Sequence, residues 1–178
     1  EAPYSFPYLE KRAVPRSFIF AALPTHVNSS NGSRRPIPPG AAMFMQIENM
    51  RRILYIEDHA DTRELVTLLL AQKSYEVISG STIETGIALA GAGNFDLFLL
   101  DSWLPDGSGL ELCRRIRQFD KTTPILFYSA AAYAADHDLA MKSGAQGYLV
   151  KPSQPSELCD LVTKLIDNSR QTRCRASA

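Results

Sequence analysis

The sequence predicts an α/β domain, a doubly wound five-stranded parallel sheet with helices on both faces. Three observations carry that expectation. From Arg52 to about residue 168, five short apolar runs alternate with five amphipathic segments. The runs are nearly unbroken in Ile, Leu, Val and Phe, as strands buried on both faces require. Four of them end on a carboxylate, a hydroxyl or an ammonium group. Strict strand–helix alternation with right-handed crossovers makes the sheet parallel, so these polar ends share one edge.

The first run, Ile53-Leu54-Tyr55-Ile56, ends in Glu57-Asp58-His59. Asp61-Thr62-Arg63-Glu64 then has the spacing of a helix start, with Asp61 as the capping carboxylate. Leu65, Leu68 and Leu69, widened by Val66 and Leu70, supply that helix with an apolar face. Tyr75-Glu76-Val77-Ile78 reads as the second strand. Ser81-Thr82-Ile83-Glu84 reads as a capping box for a helix that Gly91 and Gly93 end. The third strand, Asp96-Leu97-Phe98-Leu99-Leu100, closes on Asp101. A Pro/Gly-rich loop follows, then a helix opened by Ser108-Gly109-Leu110-Glu111, with Leu112, Cys113 and Ile116 inward and Arg114, Arg115 and Arg117 outward. Ile125-Leu126-Phe127-Tyr128-Ser129 is the fourth strand. Ala130 to Lys142 reads as an Ala-rich helix stopped by Gly144. Gly147-Tyr148-Leu149-Val150 leads to Lys151-Pro152. The last helix has Pro155 in its first turn, with Leu158, Leu161, Val162, Leu165 and Ile166 on one face.

The flanks read differently. Residues 1–49 are broken by Pro3, Pro7, Pro15, Pro24, Pro36, Pro38 and Pro39 and carry a polar turn cluster, Asn28 to Ser33. They are expected to be a disordered extension; an interaction arm using Tyr4, Phe6, Tyr8 and Phe18 is the alternative. Residue 1 is Glu rather than Met, so the start is not expected to be native; Met43, Met45 and Met50 stand just before the first strand. Residues 169–178 read as a polar basic tail carrying Arg170, Arg173 and Arg175.

Composition narrows the function. The 178 residues carry 19 basic and 19 acidic side chains, a balance that offers no support for a nucleic-acid or membrane partner. No apolar run approaches the roughly 18 residues of a membrane span, and Phe18 to Leu23 stops at Pro24, too short for a signal peptide. Three cysteines, Cys113, Cys159 and Cys174, have no metal-ligand spacing and suit a reducing cytoplasm.

The chemistry lies at the strand ends. Glu57, Asp58 and Asp101 converge there, and carboxylates about 4 Å apart repel by roughly 4 kcal/mol per pair at an effective dielectric of 20. A divalent cation relieves that repulsion, and an all-oxygen set suits magnesium or manganese. Asp101 is then placed as a carboxylate nucleophile toward phosphorus, with Lys151 and Ser129 to receive phosphate oxygens.

Glu57-Asp58, the loop from Asp101 through Pro105 to Gly109, Ser129-Ala130, and Gly147 to Pro152 together resemble the receiver domain of two-component response regulators. The resemblance covers residues 52 to about 168. It implies a flavodoxin-like (βα)5 fold with Asp101 as phosphoacceptor and Asp58 as a direct magnesium (or manganese) ligand. Glu57 would act through water, and the Trp103 backbone carbonyl would complete the protein ligands. It further implies that Ser129, Lys151 and the Ala130 backbone hold the phosphoryl oxygens. Ser129 and Tyr148 would form a coupled switch pair, and the Lys151–Pro152 bond would be cis. The partners implied are a histidine kinase or histidine phosphotransfer protein and a downstream protein target, with neither nucleic acid nor membrane. The chain is expected to be a cytoplasmic, single-domain phosphoacceptor over residues 50–168, a monomer or a phosphorylation-dependent dimer. It would catalyse only its own phosphorylation and dephosphorylation.

Two positions depart from the usual pattern. Glu57 stands where Asp is commoner, and Trp103 occupies a site that often holds a smaller residue, where its ring is expected to hinder attacking water. Plainer readings exist for each residue alone. Glu57-Asp58 also suits a helix N-terminus, Lys151 a solvated loop, Ser129 a strand-end cap, Tyr148 simple packing. His26, His59 and His137, and the remaining tyrosines, are assigned no role. A phosphate-independent interaction module on the same fold is the alternative function. A flavin protein is disfavoured by the acidic loop after the first strand, an Asp-x-Asp phosphatase by Trp103, and a nucleotide hydrolase by the lack of a P-loop.

Overall fold

Runs of apolar, largely branched residues form the strands, and the amphipathic segments between them form the helices. The computed structural model describes residues 50–176. The expectations for residues 1–49 and for His26 lie outside the described residues. The strands are β1 (Arg51–Ile56), β2 (Tyr75–Gly80), β3 (Leu97–Leu100), β4 (Ile125–Ser129) and β5 (Gly147–Val150). The helices are α1 (Ala60–Ala71), α2 (Ile83–Ala92), α3 (Gly109–Phe119), α4 (Ala134–Lys142) and α5 (Pro155–Ala176). All pairings in the sheet are parallel, in the order β2-β1-β3-β4-β5. The order reverses between β1 and β3, and ligand crevices of open α/β sheets lie at such a point.

Alternation along each strand divides the core in two. Leu54, Ile56, Phe98, Leu100, Ile125 and Phe127 pack against α2, α3 and α4 through Ile83, Ala90, Leu112, Cys113, Ile116 and Ala140. Ile53, Tyr55, Leu97, Leu99, Leu126 and Tyr128 pack against α1 and α5 through Val66, Leu70, Leu158, Cys159, Val162 and Ile166. Most of these side chains are wholly buried, and truncating one Leu or Ile to Ala typically costs about 2–5 kcal/mol.

Several local expectations change. The cap of α1 is His59 rather than Asp61, which lies in the first turn, and Thr82 rather than Ser81 caps α2 by accepting from the Thr85 amide. Ser108 caps α3 as expected, accepting from the Glu111 amide. On α1, Val66 and Leu70, one turn apart, face the sheet, while Leu65 and Leu68 are 58% and 57% exposed. That segment is apolar on several sides, so packing chose the stripe. Residues 130–133 stay outside α4 because the Ala131 amide and carbonyl are both bonded to side chains, those of Ser129 and Tyr148. Gly144 ends α4 region's turn at a φ of +103°, a conformation that favours glycine. The last helix runs on to Ala176 through the expected tail. Arg170, Gln171, Arg173, Arg175 and Ala176 are good helix formers, Arg170 pairs with Asp96, and basic side chains suit a helix C-terminus. Arg117, expected to point outward, is half-buried against the loops before β4 and β5.

Candidate functional site at the carboxyl edge of the sheet

Sheet register assembles the site. Ile56 stands beside Leu100 and Gly80, and the ladder continues one step beyond the strands. There the Asp101 amide donates to the Ile56 carbonyl at 2.9 Å and the Glu57 amide to the Gly80 carbonyl at 3.0 Å. Glu57, Asp58 and Asp101 therefore meet, with one carboxylate oxygen from each within 4.8 Å of the others. Glu57 and Asp101 are buried and Asp58 is exposed, so the cluster opens toward solvent on one side.

Lys151 enters from the fourth and fifth strands. Ser129 pairs with Val150, and the next amide, of Lys151, donates to the Ser129 carbonyl at 2.8 Å. The Lys151–Pro152 peptide bond is cis. The Lys151 ammonium is bonded to Glu57 Oε2 and lies 3.4 Å from Asp101 Oδ1. That second contact is an ion pair without hydrogen-bond geometry: Asp101 Oδ1 is buried and accepts no hydrogen bond. One ammonium pairs with two of the three clustered carboxylates, which leaves the cluster net negative and built of hard oxygens. This fits a magnesium-sized divalent cation.

Around these residues the loops are held by contacts that the sequence did not announce. Arg63 of α1 donates to the carbonyls of Glu57 and Asp58 at 2.7 and 3.1 Å, fixing the acidic turn from below. Asp106 accepts from the Ile83 and Glu84 amides at 2.8 and 3.2 Å, tying the loop after Asp101 to the start of α2. Burial alone would raise the Asp106 carboxyl, but those amides, with its own amide and the Arg115 charge, together outweigh it and hold the group below its ordinary value. Gly109 admits no side chain, because a Cβ there would lie 1.9 Å from the Asp101 carbonyl oxygen. Tyr55, left without a role above, donates its hydroxyl to Glu57 Oε2 at 2.8 Å. Burial, then the Glu57 charge, raises its phenol far above the ordinary value, so it stays a donor. Tyr128 lies with its ring 5.2 Å from the Lys151 ammonium. A period-two reading of β1 could have paired Tyr55 with Glu57, since residues two apart share a strand face.

Ser129 is fully buried, and its Oγ accepts from the Ala131 amide at 3.3 Å. Tyr148 donates to the carbonyl of the same Ala131 at 2.7 Å, with its ring stacked 6.0 Å from Phe127 and His137 edge-on at 5.9 Å. Ser129 and Tyr148 are thus joined through one residue. Ala130 is exposed on the loop. Trp103 forms a two-residue pairing with Ser108 in a short hairpin and is 68% exposed. His59 is exposed, with its Nδ1 3.2 Å from the Thr62 hydroxyl. Among the described residues, no helix is long and apolar enough to cross a membrane.

Comparison with known proteins points to one family. Residues 53–163 match the model of the response regulator receiver domain family. The transcriptional regulatory protein ResD of Bacillus subtilis is 33% identical over 72% of the chain and 53% of its own length. The chain spans about half the length of the curated relatives it matches. Among solved structures, a putative response regulator from Chloroflexus aurantiacus is 29% identical at a TM-score of 0.64, covering 67% of this chain and 99% of that one. The receiver domain of the sensor histidine kinase PA1611 from Pseudomonas aeruginosa, solved with a magnesium ion in its active site cleft, is 25% identical at a TM-score of 0.62, covering 66% and 98%. The chain belongs to the response regulator receiver domain family, phosphoacceptor signalling modules with an acidic phosphorylation and magnesium site that histidine kinases phosphorylate.

Proposed function

We propose that this receiver accepts a phosphoryl group on Asp101 from a histidine kinase or histidine phosphotransfer protein in the cytoplasm, and that the acyl phosphate switches a protein-interaction face. The carrying observation is Asp101 Oδ1, buried and accepting no hydrogen bond, 3.4 Å from the Lys151 ammonium in a cluster with two further carboxylates. A carboxylate oxygen that accepts no hydrogen bond in that position keeps a lone pair for attack on an electrophile. It attacks phosphorus, a P–O bond forms, the P–N bond of the donor phosphohistidine breaks, and the imidazole leaves as the neutral base after taking up a proton.

The remaining roles follow from chemistry. Asp58 would hold magnesium or manganese directly, Glu57 through water, and the Trp103 carbonyl would complete the set. The cation would offset negative charge on the phosphoryl oxygens. Lys151 would move its ammonium from Glu57 to a phosphoryl oxygen, and the Ala130 amide and Ser129 hydroxyl would donate to the others. For Ser129 that means leaving the Ala131 amide, and Ala131 is what Tyr148 holds. Phosphorylation is therefore read as a shift in the Ala131 link, which alters the α4–β5–α5 surface around Tyr148. The related ResD is named a transcriptional regulatory protein, so an output joined to a longer chain is one form of this reading, and a protein target bound directly is the other.

Incubation with magnesium and acetyl phosphate, followed by intact mass, tests the proposal. A phosphate-sized gain that disappears in Asp101→Asn is expected. No gain from acetyl phosphate or from any histidine kinase would favour the phosphate-independent interaction module.

A further inference from the structure

We propose that Tyr55 is a positioning residue for cation binding, its phenol fixing Glu57 so that this carboxylate serves both Lys151 and the metal cluster. The inference rests on the phosphoacceptor reading and extends it to a residue that otherwise looks like core.

Tyr55 is wholly buried at the second-last position of β1, between the apolar Leu54 and Ile56. A buried hydroxyl needs a partner, because an unpaired one costs on the order of 1–3 kcal/mol. The partner here is Glu57 Oε2, two residues on along the same strand face. That oxygen also receives the Lys151 ammonium. With Oε2 engaged twice, Oε1 is the oxygen with capacity left for a cation or its water. Glu57 needs such a brace: its side chain has one more rotatable bond than Asp, and Glu57 is 2% exposed beside two like charges. The brace also matches the longer side chain. An Asp at this position would be shorter by roughly one carbon–carbon bond, about 1.5 Å, and would leave the phenol unpaired. Tyr55 and Glu57 therefore form one unit, in which the hydroxyl matters to the metal only when a glutamate stands at position 57.

A double-mutant cycle on the full chain isolates this coupling. Magnesium chloride titrations are followed by the emission of Trp103, the sole tryptophan, and independently by the rise in the urea midpoint. Tyr55→Phe, which keeps the ring, is expected to weaken magnesium binding about five-fold, a part of what a hydrogen bond to a charged group contributes, since that bond is also made without the cation. In a Glu57→Asp background the same substitution should leave the affinity within about two-fold of Glu57→Asp alone. Equal weakening in both backgrounds would make Tyr55 a generic packing residue and overturn the inference. So would unchanged affinity in Tyr55→Phe. If the parent chain binds no magnesium and takes no phosphate, the phosphoacceptor reading fails and this inference with it. If the parent does both and the cycle shows no coupling, only the inference fails.

Discussion

At the carboxyl edge of the sheet, three carboxylates gather beside one ammonium; at the amino edge charges are matched in pairs such as Arg52–Glu76 and Arg170–Asp96, and Arg117 faces the backbone. The amino edge is organised by Arg117, which donates to the carbonyls of Gly144, Asp120 and Thr123 and to Gln146 Oε1, each at 2.9 Å. Gln146 in turn receives the Ile125 amide, and Asp120 receives the Thr122 and Thr123 amides. Every one of these polar atoms is spent on holding a loop. At the opposite edge Glu57, Asp58 and Asp101 cluster with an ammonium paired to only two of them, and Asp101 Oδ1 accepts no hydrogen bond. Similar side chains therefore do opposite work: satisfied charges build the amino edge, and an under-satisfied cluster equips the carboxyl edge for a ligand.

The largest expected effects run in opposite directions at the two edges. Asp101→Asn should abolish phosphate uptake yet raise stability in metal-free buffer by about 1 kcal/mol, because one of three mutually repelling carboxylates is gone. Arg117→Ala should leave phosphate uptake intact and lower stability by roughly 2–3 kcal/mol, since several half-buried carbonyls lose their donor. Urea midpoints and intact mass on both variants decide the matter. A folded Arg117→Ala that takes no phosphate, or an Asp101→Asn less stable than the parent, would break the contrast.

A smaller effect is expected from Trp103, whose exposed ring stands two residues from Asp101. Trp103→Ala should shorten the phosphoryl lifetime several-fold by opening a path for water, with little change in stability. Phosphate release timed after removal of the donor measures it, and an unchanged lifetime would remove Trp103 from the mechanism.

The smallest effect sharpens the amino edge. Burial raises the Asp120 carboxyl, but hydrogen bonds from Thr123 and Thr122 and the Arg117 charge outweigh it and hold the group below its ordinary value. A carboxyl depressed on folding contributes stability that is complete above its unfolded value of about 3.9 and is lost as pH falls through the lower folded value. Asp120→Asn should therefore show a shallower loss of stability below about pH 4 than the parent. Allowing for solvent screening, the difference should stay under about 1 kcal/mol. Identical acid profiles would mean that the Asp120 charge adds nothing to its turn.

Much of the carboxyl edge was legible before any coordinates. Apolar runs ending in Glu57-Asp58, Asp101, Ser129 and Lys151 state both a parallel sheet and where its polar ends lie, because strand–helix alternation leaves one workable topology. The amino edge was not legible. Arg117 shares a helix with Arg114 and Arg115, and periodicity alone assigned all three to solvent. Its four hydrogen bonds depend on loops up to 29 residues away in sequence. Leu65 and Leu68 failed for a related reason: a segment with apolar residues on several sides does not say which stripe the sheet will cover. The expected start of α4 at Ala130 failed because two side chains took the Ala131 backbone groups out of the helix.

The sequence by itself thus determined the fold, the edge of the sheet that carries chemistry and the residue types gathered there, since these follow from period, order and strand ends. Only the tertiary structure decided who touches whom. It joined Tyr55 and Lys151 to one oxygen of Glu57, Ser129 and Tyr148 to one residue, and left Asp101 Oδ1 unbonded. Hydrogen bonds are directional and short, so they are chosen by register and packing across distant segments. A linear pattern records which groups arrive at an edge, and the folded sheet selects which atoms meet.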